Sequence, residues 1–234
     1  MNIISFEEIP STNLWCRKNI EVLRHADVIL ARKQTAGRGR KQRVWSSQEG
    51  GLYFSLILKE GLKAVEAPGV LTQLMALAVC KTVNTFGVKS YIKWPNDVLA
   101  QGCKFCGILS EAVFEGRKLE GVIIGVGINI NQKVIESQKP FITLSELGIN
   151  TEPQELLKQI FDNFEVNYSV LQKSGFTALR EEYKKAFFYL GKQVTLHIFD
   201  DTVCGVAEDI DEQGRLILQT QSGLKTVSIG DMDF

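Results

Sequence analysis

The chain has 234 residues, with 27 lysines and arginines against 27 aspartates and glutamates, so its formal net charge is +0, and 44% of it is hydrophobic. That balance excludes collagen, coiled coil and intrinsic disorder, and it argues against a protein that mainly grips phosphate backbones, because nucleic-acid binders carry a basic excess. No stretch approaches the ~20 uncharged apolar residues of a membrane span, and the start lacks a basic segment followed by an apolar run, so a cytoplasmic chain with its own core is expected.

In chain order, Ser11 can cap a helix running through Trp15, Val22 and Leu23, because its hydroxyl can accept an orphan backbone N–H. Residues 27–33 predict a short buried strand, and a loop rich in glycine and arginine follows from Gln34 to Trp45. The β-formers of 52–58 predict a central strand. Apolar spacing over 69–86 predicts a core-facing helix. Strands are expected at 91–94, near 98–99, at 105–114 and at 119–130, with a turn at 95–97 and a hairpin at Gly116. Residues 152–189 read as helix broken near Ser174 and Gly175. Beyond Gly191 the pattern becomes short alternating strands at 193–198, 203–210, 215–219 and 225–229. The expected fold is therefore α/β (α+β): a mixed central sheet flanked by helices over 1–189, with a small β-barrel or sandwich over 190–234.

Four groups of residues could carry chemistry. Gly37-Arg38-Gly39-Arg40-Lys41-Gln42-Arg43 places four cations and two glycines in seven residues before Trp45. Glycines allow close backbone approach and arginines match phosphate or carboxylate oxygens, yet a solvated basic loop or an RNA-binding patch would read the same. Lys93-Trp94-Pro95-Asn96-Asp97, with Lys104 beyond it, places lysines in or beside buried strands, where a charge is unfavourable without partners. Lys104 could point into a pocket beside Gly107, or snorkel at a strand end. Gly125-Val126-Gly127-Ile128-Asn129 fails as a dinucleotide fingerprint because Ile130 stands at the third glycine, but its small residues leave room for a flat ligand beside Asn129. Ser11-Thr12-Asn13 is as well explained by a helix cap as by a site. The five cysteines, Cys103-x-x-Cys106 among them, are odd in number and scattered. With only His25 and His197 available, they read as incidental reduced thiols.

In this order and spacing, S-T-N, Q-T-A-G-R-G-R-x-x-R-x-W, K-W-P-N-D, K-x-x-G-I-L-x-E and G-x-G-I-N-I-N resemble the biotin protein ligase family (biotin–[acetyl-CoA-carboxylase] ligase) almost end to end. The resemblance is to the short form, without an N-terminal DNA-binding domain, and implies that the C-terminal β unit is a small SH3-like barrel. It implies an enzyme that joins biotin to ATP as biotinyl-5'-AMP and passes the biotinyl group to a lysine of a biotin carboxyl carrier domain. The biotin site would be Ser11, Thr12, Asn13, Gln34, Arg38, Gly39, Arg40, Lys104 and Gly107, with Thr12, Asn13 and Gln34 at the ureido end. The adenylate site would be Gly37, Arg38, Arg40, Arg43, Trp45, Asn96 and Asn129, with adenine beside Trp45 and Asn129.

A physical argument runs beside that resemblance. A carboxylate and a triphosphate must be brought together, and fixed cations must offset their repulsion. Lys104 and Arg40 suit that role, and Asp97 could aid the incoming lysine amine. Mg²⁺ bridging the phosphates is expected with ATP, and no metal-binding side chains are assigned. The chain departs from the family's common pattern at Gln42, where glycine is usual. Two other activities compete: a lipoate or octanoate ligase or transferase, and a non-enzymatic sensor of biotinyl-adenylate that binds DNA. The ten residues before Ser11 leave no room for a DNA-binding module, so DNA is not an expected partner. The acceptor carboxylase and formation of a homodimer are left open by the sequence.

Overall fold

A computed structural model describes residues 2–62, 69–133 and 140–233. The first sheet contains β1 (Asn2–Ile9), β2 (Asp27–Gln34), β3 (Gly51–Leu58), β4 (Ser90–Lys93), β5 (Asp97–Ala100), β6 (Cys103–Glu115) and β7 (Lys118–Asn129). Its order is β1-β2-β3-β7-β6-β5-β4, with β1 parallel to β2 and every other pair antiparallel. The helices are α1 (Thr12–Lys18), α2 (Gly69–Asn84), α3 (Pro153–Ser174) and α4 (Thr177–Ala186). None of the described helices is long and apolar enough to cross a membrane.

The two faces of this sheet are covered unequally. Side chains alternate along a strand, and directly paired residues point to the same side. Phe54 and Leu56 of β3, Ile108 of β6 and Ile124 and Val126 of β7 therefore enter the large core beneath α2 and α3. Because α2 lies between the sheet and α3, its residues 70–80 are buried all round. The opposite face carries a smaller core: Cys16, Ile20 and Leu23 lie with Ile29, Ile57 and Ile123. Beside it the same face is floored by glycine, with Gly125 opposite Ser55 and Gly127 opposite both Tyr53 and Gly107.

Beyond α4, β8 (Gln193–Ile198), β9 (Asp201–Ile210), β10 (Leu216–Thr220), β11 (Gly223–Val227) and β12 (Asp231–Asp233) form an antiparallel sheet ordered β11-β10-β9-β8-β12. Its edge strands β11 and β12 are not hydrogen-bonded neighbours, so the expected SH3-like unit is an open sheet rather than a closed barrel. Trp94 Nε1 and Gln73 Nε2 both donate to the Gly214 carbonyl, at 3.2 and 2.5 Å, and join this sheet to the first.

The expected elements are present, with three differences. The first helix ends at Lys18; Val22 lies in the turn that follows it and Leu23 in the irregular segment after that turn. β1 was not expected, because as an edge strand it alternates only weakly between exposed and shielded positions. β12 has three residues, too few for a periodic signal.

Candidate active site

The glycine floor is bounded at one end by an uncharged polar cluster. Ser11 caps α1, its Oγ accepting the Leu14 N–H at 3.4 Å, which turns Thr12 and Asn13 toward the sheet. The Thr12 N–H donates to Gln34 Oε1 at 2.8 Å, and the Thr12 hydroxyl to the same oxygen at 3.2 Å. Gln34 Nε2 donates to Ser47 Oγ at 2.8 Å, and Ser47 donates to the Trp45 carbonyl at 3.0 Å. The Ser55 hydroxyl lies 2.7 Å from Thr12 Oγ1 and 2.6 Å from Asn13 Oδ1, and with one proton it serves one of them at a time.

Asn13 Nδ2 donates to Glu111 Oε2 at 2.8 Å and to the Leu109 carbonyl at 3.2 Å. An ionised carboxylate only accepts, so Glu111 fixes which end of the Asn13 amide is nitrogen. Arg17 holds the other Glu111 oxygen at 3.0 Å. Asn13 Oδ1 lies over Gly125, where an added Cβ would stand 2.1 Å from it.

Trp45 covers the middle of the floor. A Cβ on Gly127 would lie 2.3 Å from its Nε1, and one on Gly107 would lie 2.8 Å from its Cζ3. Only glycine permits this approach, which explains the small residues of the G-x-G run. Trp45 Nε1 is buried and has no hydrogen-bond partner among the described residues. This ring, expected beside adenine, packs against Gly107, Gly127 and Lys104, whose Nζ is 4.9 Å from the ring centroid.

The cations gather at the other end. Lys104 Nζ pairs with Asp97 Oδ1 at 2.7 Å, and Asn96 Nδ2 donates to the same oxygen at 3.1 Å and to the Ile108 carbonyl at 3.2 Å. Asn96 Oδ1 accepts from Arg40 Nη1 at 2.8 Å. Arg40, Asn96, Asp97 and Lys104 are thus one connected chain, assembled by the turn after Trp94 and by β6. Asn129 shares the face of Gly127, one pleat along, but its amide is tied inward: Nδ2 reaches the Ile142 carbonyl at 3.4 Å and Oδ1 accepts from Gln132 at 3.3 Å.

The basic loop folds back on itself. Arg38 and Val44 bridge, Gly39 N donates to the Arg43 carbonyl at 2.7 Å, and Trp45 N donates to the Gly37 carbonyl at 3.0 Å. Arg38 is exposed on that bridge. At the tip, Lys41 and Gln42 have φ of 52° and 59°, where a side chain is strained and glycine is not. Gly37 carries Trp45 O and Ser47 Oγ 2.4 Å from where its Cβ would be. Arg40, Lys41 and Arg43 all reach Asp231 of β12, at 3.5, 3.3 and 2.8 Å. Burial pushes the Asp231 carboxyl up, but Arg40, Arg43 and Lys41 outweigh it and hold the group below its ordinary 3.8.

Sequence reasoning missed Ser55, Ser47, Glu111 and Asp231. Ser55 had a signal, being the lone aliphatic hydroxyl in the apolar run of β3, and Glu111 stood within the K-x-x-G-I-L-x-E run without a role. Asp231 had none, since its partners lie about 190 residues away. Burial holds the Cys80 thiol up at about 12 and pushes Cys106 well up too.

Residues 4–129 match the model of the biotin/lipoate A/B protein ligase family, and residues 189–234 match that of the biotin protein ligase C terminal domain. The chain is 37% identical over 213 residues to the bifunctional ligase/repressor BirA of Bacillus spizizenii, covering 88% of this chain and 65% of that protein. It therefore spans just under two thirds of the length of this BirA protein and of that of Bacillus subtilis. It is 32% identical over 220 residues to the biotin–[acetyl-CoA-carboxylase] ligase of Mycobacterium tuberculosis, covering 88% of this chain and 77% of that one. The solved structure of the biotin protein ligase from Aquifex aeolicus in complex with biotin and ATP superposes with a TM-score of 0.88 at 29% identity, over 99% of this chain and 97% of that chain.

Proposed function

The chain belongs to the biotin/lipoate A/B protein ligase family, and from that premise we propose that it activates biotin with ATP and transfers it to a lysine of a biotin carboxyl carrier domain of acetyl-CoA carboxylase or a related carboxylase. One observation carries the reading: a flat glycine floor with an uncharged hydrogen-bonding cluster at one end and Lys104 and Arg40 at the other. Biotin has the same asymmetry, a neutral ureido ring at one end and a carboxylate at the other.

Asn13 and Thr12 can meet the ureido group, with Gln34 and Ser55 fixing their orientation. The acid then reaches the cationic end, where Lys104 and Arg40 offset the repulsion between carboxylate and phosphates. The carboxylate oxygen forms a bond to the α-phosphorus and the bond to pyrophosphate breaks, giving biotinyl-5'-AMP. Positioning supplies much of the rate, provided the reacting atoms sit about 3 to 3.5 Å apart. In the second step a carrier lysine amine attacks the acyl carbon and AMP leaves.

Asp97 first orients Lys104, and its carboxylate then takes the amine proton. Of the remaining residues, Ser11, Arg38, Gly39 and Gly107 are assigned toward biotin and Gly37, Arg43, Trp45, Asn96 and Asn129 toward the adenylate. The magnesium that accompanies ATP would be held by phosphate oxygens and would screen their charge. Residues 1–189 form the catalytic unit and 190–234 the C-terminal unit.

Lipoate or octanoate is the competing acyl group within the family. The cluster around Asn13 and Ser55 favours biotin, because it offers amide and hydroxyl atoms that a ureido group can hydrogen-bond and a dithiolane or alkyl chain cannot. Incubation with ATP, an apo-carrier domain and equal biotin and lipoate, read by mass spectrometry, should show biotin on one carrier lysine. Lipoate in its place would overturn the assignment.

A further inference from the structure

Resting on the ligase reading, we propose that Asp231 of the C-terminal sheet is a positioning residue for the nucleotide: it clamps Arg40, Lys41 and Arg43 so that the loop is folded before ATP arrives.

Three cations within 3.5 Å of one carboxylate repel one another, and each alone would extend into water. Asp231 gathers them and still leaves the cluster positive by two charges, so it organises a phosphate site without neutralising it. It also pins the loop at its weakest point, since Lys41 and Gln42 at the tip hold left-handed backbone that strain opposes. The carboxylate side chain is only 13% exposed, so its pairs are less screened than those of a surface bridge.

Its anchorage is firm. β12 is held by its backbone pairing with β8, Asp231 opposite His197, Met232 opposite Leu196 and Asp233 opposite Thr195, and the Met232 side chain between them is buried. The direct bond from Arg40 to Asn96 passes the position of the loop on to Asp97 and Lys104. The C-terminal sheet thereby sets where the loop arginines stand, although it contributes no group to the floor itself.

The test compares Asp231→Asn, Asp231→Glu and Asp233→Asn with the wild-type full chain, in biotin-dependent ATP–pyrophosphate exchange and in limited trypsin digestion. Asp231→Asn should raise KM for ATP about tenfold while leaving kcat and KM for biotin within about threefold, and should speed cutting after Arg40, Lys41 or Arg43 about tenfold. Asp231→Glu should recover most of both effects. Asp233→Asn, which removes a charge from the same strand, should change neither. Unaltered KM and cutting in Asp231→Asn, or an equal change in Asp233→Asn, would overturn the clamp. If the wild type shows no biotin-dependent exchange, the ligase reading fails by itself, and trypsin cutting alone judges the clamp.

Discussion

The two ends of the glycine floor are built on opposite principles. At the Asn13 end every group is neutral except the Glu111–Arg17 pair, nearly every hydrogen bond is internal, and the side chains stand on α1, β2, β3 and β6. At the Arg40 end the groups are charged, the support is a loop with strained backbone at its tip, and the fixing partner comes from a different sheet. A rigid neutral end suits a ligand group whose shape never changes. A tethered cationic end suits phosphates, whose charge is redistributed during reaction and whose product must leave.

That contrast can be broken at either end, and the largest expected effect is at Lys104. Lys104→Ala should lower the exchange rate by about 10²- to 10³-fold while the melting temperature barely moves, because Lys104 lies at the edge of the core. A loss of folding instead of rate would show that the cationic end is structural.

At the neutral end the expected balance reverses. Ser55→Ala removes the donor that Asn13 Oδ1 and Thr12 Oγ1 share, and should cost about 1 to 3 kcal/mol in urea unfolding along with weaker biotin binding. A drop in stability with unchanged calorimetric affinity for biotin would separate this cluster from the ligand.

The clamp also has a pH signature. The Asp231 carboxyl is held below 3.8, so it contributes stability that is fully present above its unfolded value and is lost as pH falls through the folded one. Trypsin-resistant packing cannot be followed in acid, so the readout is urea unfolding: Asp231→Asn should differ most from wild type above about pH 5, with the gap closing below pH 3.8. A gap that persists unchanged in acid would assign the effect to something other than this charge.

The smallest effect belongs to Gln42. Gln42→Gly removes the left-handed strain at φ 59° but frees the unfolded chain, so stability should stay within about 0.5 kcal/mol. A large loss would mean that the Gln42 side chain itself holds the loop.

Much of this arrangement was legible before any coordinates, and for definite reasons. Strands β3, β6 and β7 are long and apolar enough to declare themselves, and the cationic loop, W-P-N-D and G-x-G runs are local in sequence. What was hidden depends on contacts that sequence does not order. Trp45 reaches the floor because Gly107 and Gly127 face each other across β6 and β7, a matter of register. Asp231 matters because a three-residue strand returns beside a loop about 190 residues earlier, and no spacing rule announces such a return. The open C-terminal sheet was likewise a question of which edges pair, since its strands themselves were read from alternation and turns.

The central claim, that the floor takes biotin with its acid toward Lys104, is tested most directly by pyrophosphate exchange into ATP with the purified chain. The account predicts exchange that requires biotin, is not supported by lipoate, and disappears in Lys104→Ala. Exchange without biotin, or at an undiminished rate in that variant, would contradict it.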